Sequence, residues 1–242
     1  HYPLRRQRQM CIRDRGRADK ERSKIFSKLS REITVAAKLG DKDPDMNPRL
    51  RTAIQAAKQA NMPKDNIARA ISKSEMSGDK NYENLRYEGF GISNVNFIIE
   101  TLTDNKNRAA SSIRTVLQKN GGRLGETGSV THMFSNCGII QFENKKISEE
   151  EVFEIAITAG AKDCLNLKDK FEIITEKEDF YKIKTVLEKK IDTFLYSGIE
   201  WRALSYIELN KEQSNKILDI MSALEELDDV QNIFTNANLS KT

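Results

Sequence analysis

This sequence of 242 residues is poor in the side chains on which most enzymes depend. Its two histidines are the first residue and His132, which lies in the apparent strand VTHMF. A lone histidine within a strand is more typical of packing than of catalysis. The chain has no HExxH pair, no GxxxxGKS or GxxxxGKT loop and no cysteine–histidine nucleophile set. The sequence therefore predicts no catalytic residue, no metal site, no cofactor and no small-molecule substrate.

Cysteines and long apolar runs are also scarce. Three scattered cysteines cannot form a disulfide framework and lack metal-ligand spacing, so Cys137 and Cys164 are expected to be buried thiols in a reducing compartment. No apolar run approaches the roughly 20 residues that span a membrane. With 38% hydrophobic residues and a mean hydropathy of −0.61, the chain is expected to be soluble, without a membrane partner, and divided into two or three domains.

Two further motifs have both a functional and a structural interpretation. The run NGGRLGETG at 120–128 could cradle a phosphate near Arg123, but it follows a helix and precedes a strand, the reverse of nucleotide-binding order. We interpret it as a surface loop open to nucleic-acid or protein contacts. Strand aromatics could imitate the base-stacking sheet of an RNA-recognition module, although their alternation favours core packing. These aromatics are Phe97, Phe142, Phe171 and Phe194.

Positive charge is concentrated in the first third of the chain. Residues 1–75 have 19 Lys and Arg against 9 Asp and Glu, a net charge of +10, whereas residues 76–242 have 21 against 27, a net of −6. Such asymmetry predicts a polyanion-binding module on a larger globular body. The alternative is a charged helical surface with no ligand.

The basic residues of the first third follow a helical period. The segment 17–39 predicts one amphipathic helix that ends at Gly40. At about 100° per residue, six cations share a sector of roughly 80°, opposite an apolar side that includes Ile25, Phe26, Leu29 and Ile33. A solvated face normally mixes charges of both signs, and the self-repulsion of a uniform stripe is relieved by a phosphate backbone.

We therefore predict that the stripe, with other cations of the first domain and one in the glycine-rich loop, binds nucleic acid. The predicted residues are Arg17, Lys20, Lys24, Lys28, Arg31, Lys38, Arg49, Arg51, Lys58, Lys64 and Arg123. Phosphate contacts do not distinguish DNA from RNA, so duplex DNA and the RNA of the ribosome both stay open as targets.

The hydrophobic period divides the rest of the chain. Asn47 as a cap and Pro48 predict a second helix, and Pro63 a third, which together make a three-helix bundle. A polar linker follows at 72–84. Strands are then expected at 95–103 and 128–134 around a helix that ends near Gly121. Residues 138–201 read as βαββαβ, the split βαβ pattern, with a capping box at Ser148 and Glu151.

The last segments, a strand at 203–209, a helix at 211–229 and a final strand, make only half a unit. We expect them to complete the half unit at 95–134, with strands 128–134 and 203–209 adjacent. The predicted class is α+β: a three-helix bundle and two ferredoxin-like domains, one discontinuous. The predicted boundaries are 1–15 for a non-native leader without helical or strand period, 16–78 for the helical basic domain, 85–135 plus 203–242 for the discontinuous domain, and 136–202 for the inserted domain.

The segment 22–71 resembles the YebC/PmpR family, to which the mitochondrial translational activator of cytochrome oxidase also belongs. The similarity continues through RYEGFG and through ETLTDNKNRAASSIRTVLQKNGGRLGETGSVTHMF. It implies an N-terminal helical domain and two α/β domains, one of them discontinuous, and it supplies no catalytic site. Family members usually begin with a basic Gly-His-Ser segment, and the first fifteen residues here are unrelated to it.

The resemblance also implies a function. Some members are described as DNA-binding transcriptional regulators and others as ribosome-associated factors that support translation. The first expectation is therefore a non-enzymatic DNA-binding regulator. The alternative is a translation factor that binds rRNA or tRNA through the same basic face. The composition, rich in Lys, Asn and Ile, suits a bacterial cytoplasmic protein, with the mitochondrial matrix as the alternative location.

Overall fold

The computed structural model describes residues 2–76, 82–144, 147–191 and 193–239, with the backbone alone for 2–20 and for 76. Contacts divide the chain into a helical unit, His1–Tyr82, and an α/β unit, Glu83–Thr242. The described residues form seven α-helices and mainly antiparallel sheets, which confirms the predicted α+β class. None of these helices is long and apolar enough to cross a membrane.

The helical unit consists of α1 (Tyr2–Leu39), α2 (Pro48–Gln59) and α3 (Lys64–Met76). Asn47 caps α2 as predicted, since its side chain accepts the N–H of Leu50 at 3.1 Å. Between α2 and α3, Asn61 has a φ of 59°, a left-handed conformation that asparagine tolerates better than most residues. This turn lets the two short helices pack against α1.

The core of the helical unit joins α1 to both short helices. Ile33, Leu50, Ile54 and Ile67 are buried in one cluster. The predicted packing of α1 against α2 and α3 is therefore confirmed, with Phe26 and Leu29 packed half-buried at the edge of the cluster. The placement of Ile25 on the core side was wrong, because this side chain is 50% exposed.

Two segment boundaries differ from the sequence-based expectation. Helix α1 begins at Tyr2, so residues 2–15 are helical although no helical period was expected there. The predicted linker at 72–84 is shorter, since α3 continues to Met76 and a strand begins at Glu83. Its central residues, 77–81, lie outside the described part of the chain. Local polarity hides both boundaries because neither segment has an apolar stripe.

The second sheet of the α/β unit has the predicted split βαβ order. Its elements are β4 (Phe134–Glu143), α5 (Glu149–Ala159), β5 (Asp163–Asn166), β6 (Lys170–Glu176), α6 (Phe180–Glu188) and β7 (Tyr196–Ala203). The strands are antiparallel in the order β5-β6-β4-β7. Both helices pack on one face, where Ile140 and Phe142 meet Val152 and Ile183. Ser148 caps α5 through the N–H of Glu151 at 3.3 Å.

The first sheet contains a strand that the periodicity did not predict. Its elements are β1 (Glu83–Phe90), β2 (Asn96–Thr103), α4 (Lys106–Lys119), β3 (Arg123–Leu124), α7 (Lys211–Glu225) and β9 (Val230–Thr235), and the strand order is β3-β1-β2-β9. Strand β1 lies inside the sheet although its sequence, ENLRYEGF, is mostly polar. Pairing with β2 on one side and β3 on the other therefore overrides its weak local pattern.

The expected pairing of 128–134 with 203–209 forms only at the ends of the two segments, where Phe134 pairs with Ala203 and the N–H of Leu204 donates to the Met133 oxygen at 2.9 Å. Residues 131–133 make a 3₁₀ turn instead of a strand. Two short strands, β8 (Ile207–Glu208) and β10 (Ala237–Asn238), pair in parallel with each other. The first and last segments are instead joined by the antiparallel pairing of β2 with β9. In the sequence, β2 precedes and β9 follows all the strands of the second sheet. The exact domain boundaries remain a prediction.

Candidate nucleic-acid interface

The side chains of α1 divide into a core side and a basic side. Ile33, Ala36 and Ala37 are buried in the helical core. Lys24, Lys28 and Arg31 are opposite them at about 100° per residue. We call these three residues together with Lys38 the α1 basic side. Neighbouring members of the first three are separated by about 4.5–6 Å of rise along the axis, a spacing that long side chains can match to successive phosphates.

The α1 basic side is not a bare solvent face. Lys38 is exposed, but Lys24, Lys28 and Arg31 are each half-buried. The guanidinium of Arg31 lies 5.3 Å from the centre of the Tyr82 ring, and all four cations have interactions within the protein. Val35, on the same side of the helix, is only 3% exposed. These cations therefore do not form a freely solvated stripe.

The remaining predicted cations are spread over both units. Arg49 donates from Nε to Glu32 of α1 at 2.7 Å, and Arg51 is half-buried. Lys58, near the end of α2, and Lys64, at the start of α3, are exposed. Arg17 and Lys20 were also predicted, but their side chains lie outside the described part of the chain. In the helical unit, sequence reasoning omitted four exposed cations: Arg22, Lys42, Arg69 and Lys73. The sequence signal for Arg69 was Lys73, because residues four positions apart lie on the same side of a helix.

The glycine-rich loop, residues 120–131, surrounds a buried carboxylate. Glu88 on β1 has a side chain that is 0% exposed. Its oxygens accept the backbone N–H groups of Gly128 at 2.8 Å, Val130 at 2.7 Å and Thr131 at 3.1 Å, and the hydroxyl of Thr131 at 2.6 Å. Gly128 has a φ of 90°, which suits glycine and turns its N–H toward this carboxylate.

This arrangement changes the interpretation of the loop. Burial alone would raise the pKa of Glu88, but the Thr131 hydroxyl and the three backbone N–H groups outweigh it and hold the pKa below its usual range. The N–H group of Gly125 is also used, because it donates to the backbone oxygen of Glu88 at 2.7 Å. Since these donors already hold an internal carboxylate, they are not available to cradle a phosphate.

Arg123 is the cation that this loop presents. It is exposed on β3, and its guanidinium lies 4.7 Å from the centre of the Phe90 ring. The preceding Gly122 passes close to β1, where a Cβ atom would lie 2.5 Å from the Phe90 oxygen. Only glycine fits this approach, so the backbone and the ring together fix the position of Arg123.

Of the groups considered for other chemistry, the aromatics lie in the core and His132 lies at the surface. His132 is exposed in the 3₁₀ turn and is not part of a strand. The four aromatics considered for base stacking are all buried, which supports their interpretation as core: Phe97, Phe142, Phe171 and Phe194.

The second sheet also contains a buried carboxylate and two thiols. Glu172 accepts hydrogen bonds from Arg202 at 2.8 Å and from Gln141 at 2.6 Å. Burial raises the pKa of both Cys137 and Cys164.

These features define an α+β protein in which a basic three-helix unit precedes an α/β unit built on two four-stranded sheets. Two family models match it: the TACO1/YebC protein N-terminal domain over residues 8–77, and the TACO1/YebC second and third domain over residues 82–237. The chain belongs to the TACO1/YebC family, which confirms the resemblance drawn from its motifs. The first match begins inside the segment 1–15, whose non-native origin remains a prediction.

Similar proteins agree with this assignment. The chain is 53% identical over 224 residues to a protein of Pelagibacter ubique named a probable transcriptional regulatory protein, with 93% of each covered. It is 46% identical over 225 residues to a protein of the same name from Zymomonas mobilis, covering 93% of this chain and 90% of that one. The crystal structure of a conserved hypothetical protein from Aquifex aeolicus is 42% identical, with a TM-score of 0.78 and 91% of each chain covered.

Proposed function

We propose that this protein is a non-enzymatic nucleic-acid-binding regulator of gene expression, and specifically a DNA-binding transcriptional regulator of the YebC type. The observation that carries the proposal is the α1 basic side, where Lys24, Lys28, Arg31 and Lys38 lie opposite the helical core. The names of the relatives from Pelagibacter ubique and Zymomonas mobilis support a role in transcription.

Half-burial of three of these cations favours binding. A long, fully exposed lysine loses rotamer freedom when it contacts a phosphate, and this loss reduces the net affinity. Lys24 and Lys28 are already restricted by their surroundings, and Arg31 is held against the Tyr82 ring. Binding of a phosphate backbone releases condensed counterions from the nucleic acid. Restricted cations gain this free energy while losing less side-chain entropy than fully exposed ones.

The test replaces Lys24, Lys28 and Arg31 together by Gln, which removes charge without adding repulsion. We expect affinity for duplex DNA to fall at least tenfold, and the slope of log K against log salt to flatten by about 0.9 for each lost phosphate contact. A matched control replaces three exposed lysines of the α/β unit by Gln: Lys168, Lys177 and Lys182. Equal DNA binding by parent, triple variant and control would overturn the proposed role of the α1 basic side.

The alternative is a ribosome-associated translation factor that binds rRNA or tRNA through the same residues. Sedimentation of a cell extract with and without RNase distinguishes the two functions. A transcriptional regulator should sediment apart from ribosomes in both samples. Co-sedimentation that RNase abolishes, together with tighter binding to structured RNA than to duplex DNA, would contradict the DNA-binding proposal and establish the alternative.

A further inference from the structure

Helix α4 differs in charge from the rest of the α/β unit. Residues 105–125 contain five Lys and Arg and no Asp or Glu, although residues 76–242 as a whole have a net charge of −6. The exposed residues of this segment include hydroxyl, amide and cationic side chains. We call the following set the α4 surface: Asn107, Ser111, Arg114, Thr115, Gln118, Lys119 and Arg123.

The neighbouring structure holds the α4 surface in place. Asn105 caps the helix through the N–H of Arg108 at 3.0 Å, and Ile113 and Leu117 are buried beneath it. Arg108 makes a bidentate contact with Asp229, at 2.9 Å from Nε and 2.8 Å from Nη2. This contact joins α4 to the turn before β9, so the helix is fixed at both its N-terminus and its inner side.

The C-terminal end of α4 brings the third cation to the same surface. Gly122 donates its backbone N–H to the Leu117 oxygen at 2.8 Å, which folds the chain directly from α4 into β3. Arg123 then follows within four residues of Lys119 and rests on the Phe90 ring at 4.7 Å. Arg114, Lys119 and Arg123 are therefore presented by a rigid helix and a rigid turn.

Arg114, Lys119 and Arg123 differ from the two cations in the first turn of α4, Lys106 and Arg108, in having no carboxylate partner in the described part of the chain. Lys106 and Arg108 pair with Glu83 and with Asp104 and Asp229, respectively. Within the described residues, Arg114, Lys119 and Arg123 form no ion pair. Stabilisation of the helix dipole explains Lys119 in the last turn, but it does not explain Arg114 at mid-helix or Arg123 beyond the end.

The outer faces of the other helices show the contrast. Exposed residues of α5 include Glu149, Glu150 and Glu154. On α7, which packs beside α4 in the same core, Lys216 is paired with Glu212 at 2.8 Å. Mixed charge is the usual state of a solvated helix, whereas Arg, Lys, Ser, Thr, Asn and Gln are the side chains that contact phosphate and sugar.

We propose that the α4 surface is a second binding surface for the phosphate backbone of duplex DNA, with Arg114, Lys119 and Arg123 as its cationic contacts. This inference rests on the proposed DNA-binding function and extends it to the α/β unit. It assigns no base readout, because phosphate contacts position a protein without reading sequence.

The test replaces Arg114, Lys119 and Arg123 by Gln in the full chain and measures affinity for duplex DNA across a salt series. We expect a loss of at least tenfold near 0.1 M salt and a slope reduced by about 2 to 3, close to 0.9 per lost contact. The variant with Lys168, Lys177 and Lys182 replaced by Gln is the matched control and should bind like the parent. A double variant, Arg114→Gln with Lys119→Gln, leaves the Arg123–Phe90 contact intact. Its salt slope should change by about two-thirds as much as that of the triple variant.

The outcomes separate this inference from the proposed function. Parent-like DNA binding by the α4 triple variant, while the variant of Lys24, Lys28 and Arg31 is impaired, would overturn the α4 surface alone. Failure of the parent protein to bind duplex DNA would overturn both. A loss that appears only with structured RNA would also overturn the assignment, because the α4 surface would then serve another ligand. Unfolding of every variant by urea, measured in parallel, separates lost contacts from lost fold.

Discussion

The contacts that stabilise the helical unit internally join residues closer together in the sequence than those that stabilise the α/β unit. In the helical unit, core residues come from helices that follow one another directly, and the buried bond from the Thr34 hydroxyl to the Ala70 oxygen spans 36 positions. In the α/β unit, Arg108 reaches Asp229 across 121 positions and Asn96 reaches Asn236 across 140. A repeating apolar pattern can specify the first kind of packing, whereas the second depends on segments that meet only after folding.

The largest expected effect tests the local packing. Leu50→Ala removes a fully buried side chain from the centre of the helical core and should cost about 2–5 kcal/mol of unfolding free energy through lost transfer energy and a cavity. Leu39→Ala is the control, because Leu39 is 69% exposed and should change stability little. Urea unfolding followed by hydrogen exchange should confine the loss of protection to residues 21–75. Equal effects of the two substitutions would contradict the assigned core.

The next effect tests a buried polar contact within the α/β unit. Glu88→Gln replaces a carboxylate that accepts four hydrogen bonds with an amide that turns an NH₂ group toward one or more of the same donors. We expect a loss of about 2–3 kcal/mol at pH 7, measured by urea unfolding. Thr127→Ala is the control, because Thr127 is an exposed residue of the same loop. Hydrogen exchange should increase at Gly128, Val130 and Thr131 in the Glu88 variant only.

The pH dependence of the same pair sharpens this prediction. Because the pKa of Glu88 is lowered in the fold, its ionised form contributes stability above its unfolded pKa of about 4.3, and this stability is lost as the pH falls through the folded pKa. The difference between parent and Glu88→Gln should therefore narrow in acid. A difference that stays constant from pH 7 to pH 3 would show that the charge of Glu88 is not what stabilises the loop.

The smallest effect compares one ion pair from each unit. Arg108→Gln leaves Asp229, whose side chain is 10% exposed, without its bidentate partner, and should cost about 1–2 kcal/mol. Arg49→Gln removes a pair in which both side chains are about one-third exposed, at 32% and 30%, and should cost about 0.5 kcal/mol. Urea titrations at low and high salt measure both. A larger cost for Arg49→Gln would reverse the comparison between the units.

Strand β1 and helix α1 show how far sequence reasoning reached. The side of α1 that packs on α2 and α3 follows from the apolar period, and the second sheet follows from its βαββαβ pattern. Strand β1 was missed because the charged residues of ENLRYEGF fall on both faces of the strand and leave no apolar face. The half-burial of Lys24, Lys28 and Arg31 was missed for a related reason. A helical wheel gives the direction of each side chain around the axis and does not show which neighbouring segments lie beside it.

The sequence by itself determined the helical core, the caps at Asn47 and Ser148, the charge asymmetry and the family, because each depends on residues close together in the chain or on whole motifs. Only the tertiary structure decided that the donors of the glycine-rich loop are used by Glu88, that Arg108 is neutralised while Arg114 is not, and that Arg123 rests on Phe90. Hydrogen bonds and ion pairs act over a few ångströms, so which residues make them depends on where distant segments meet.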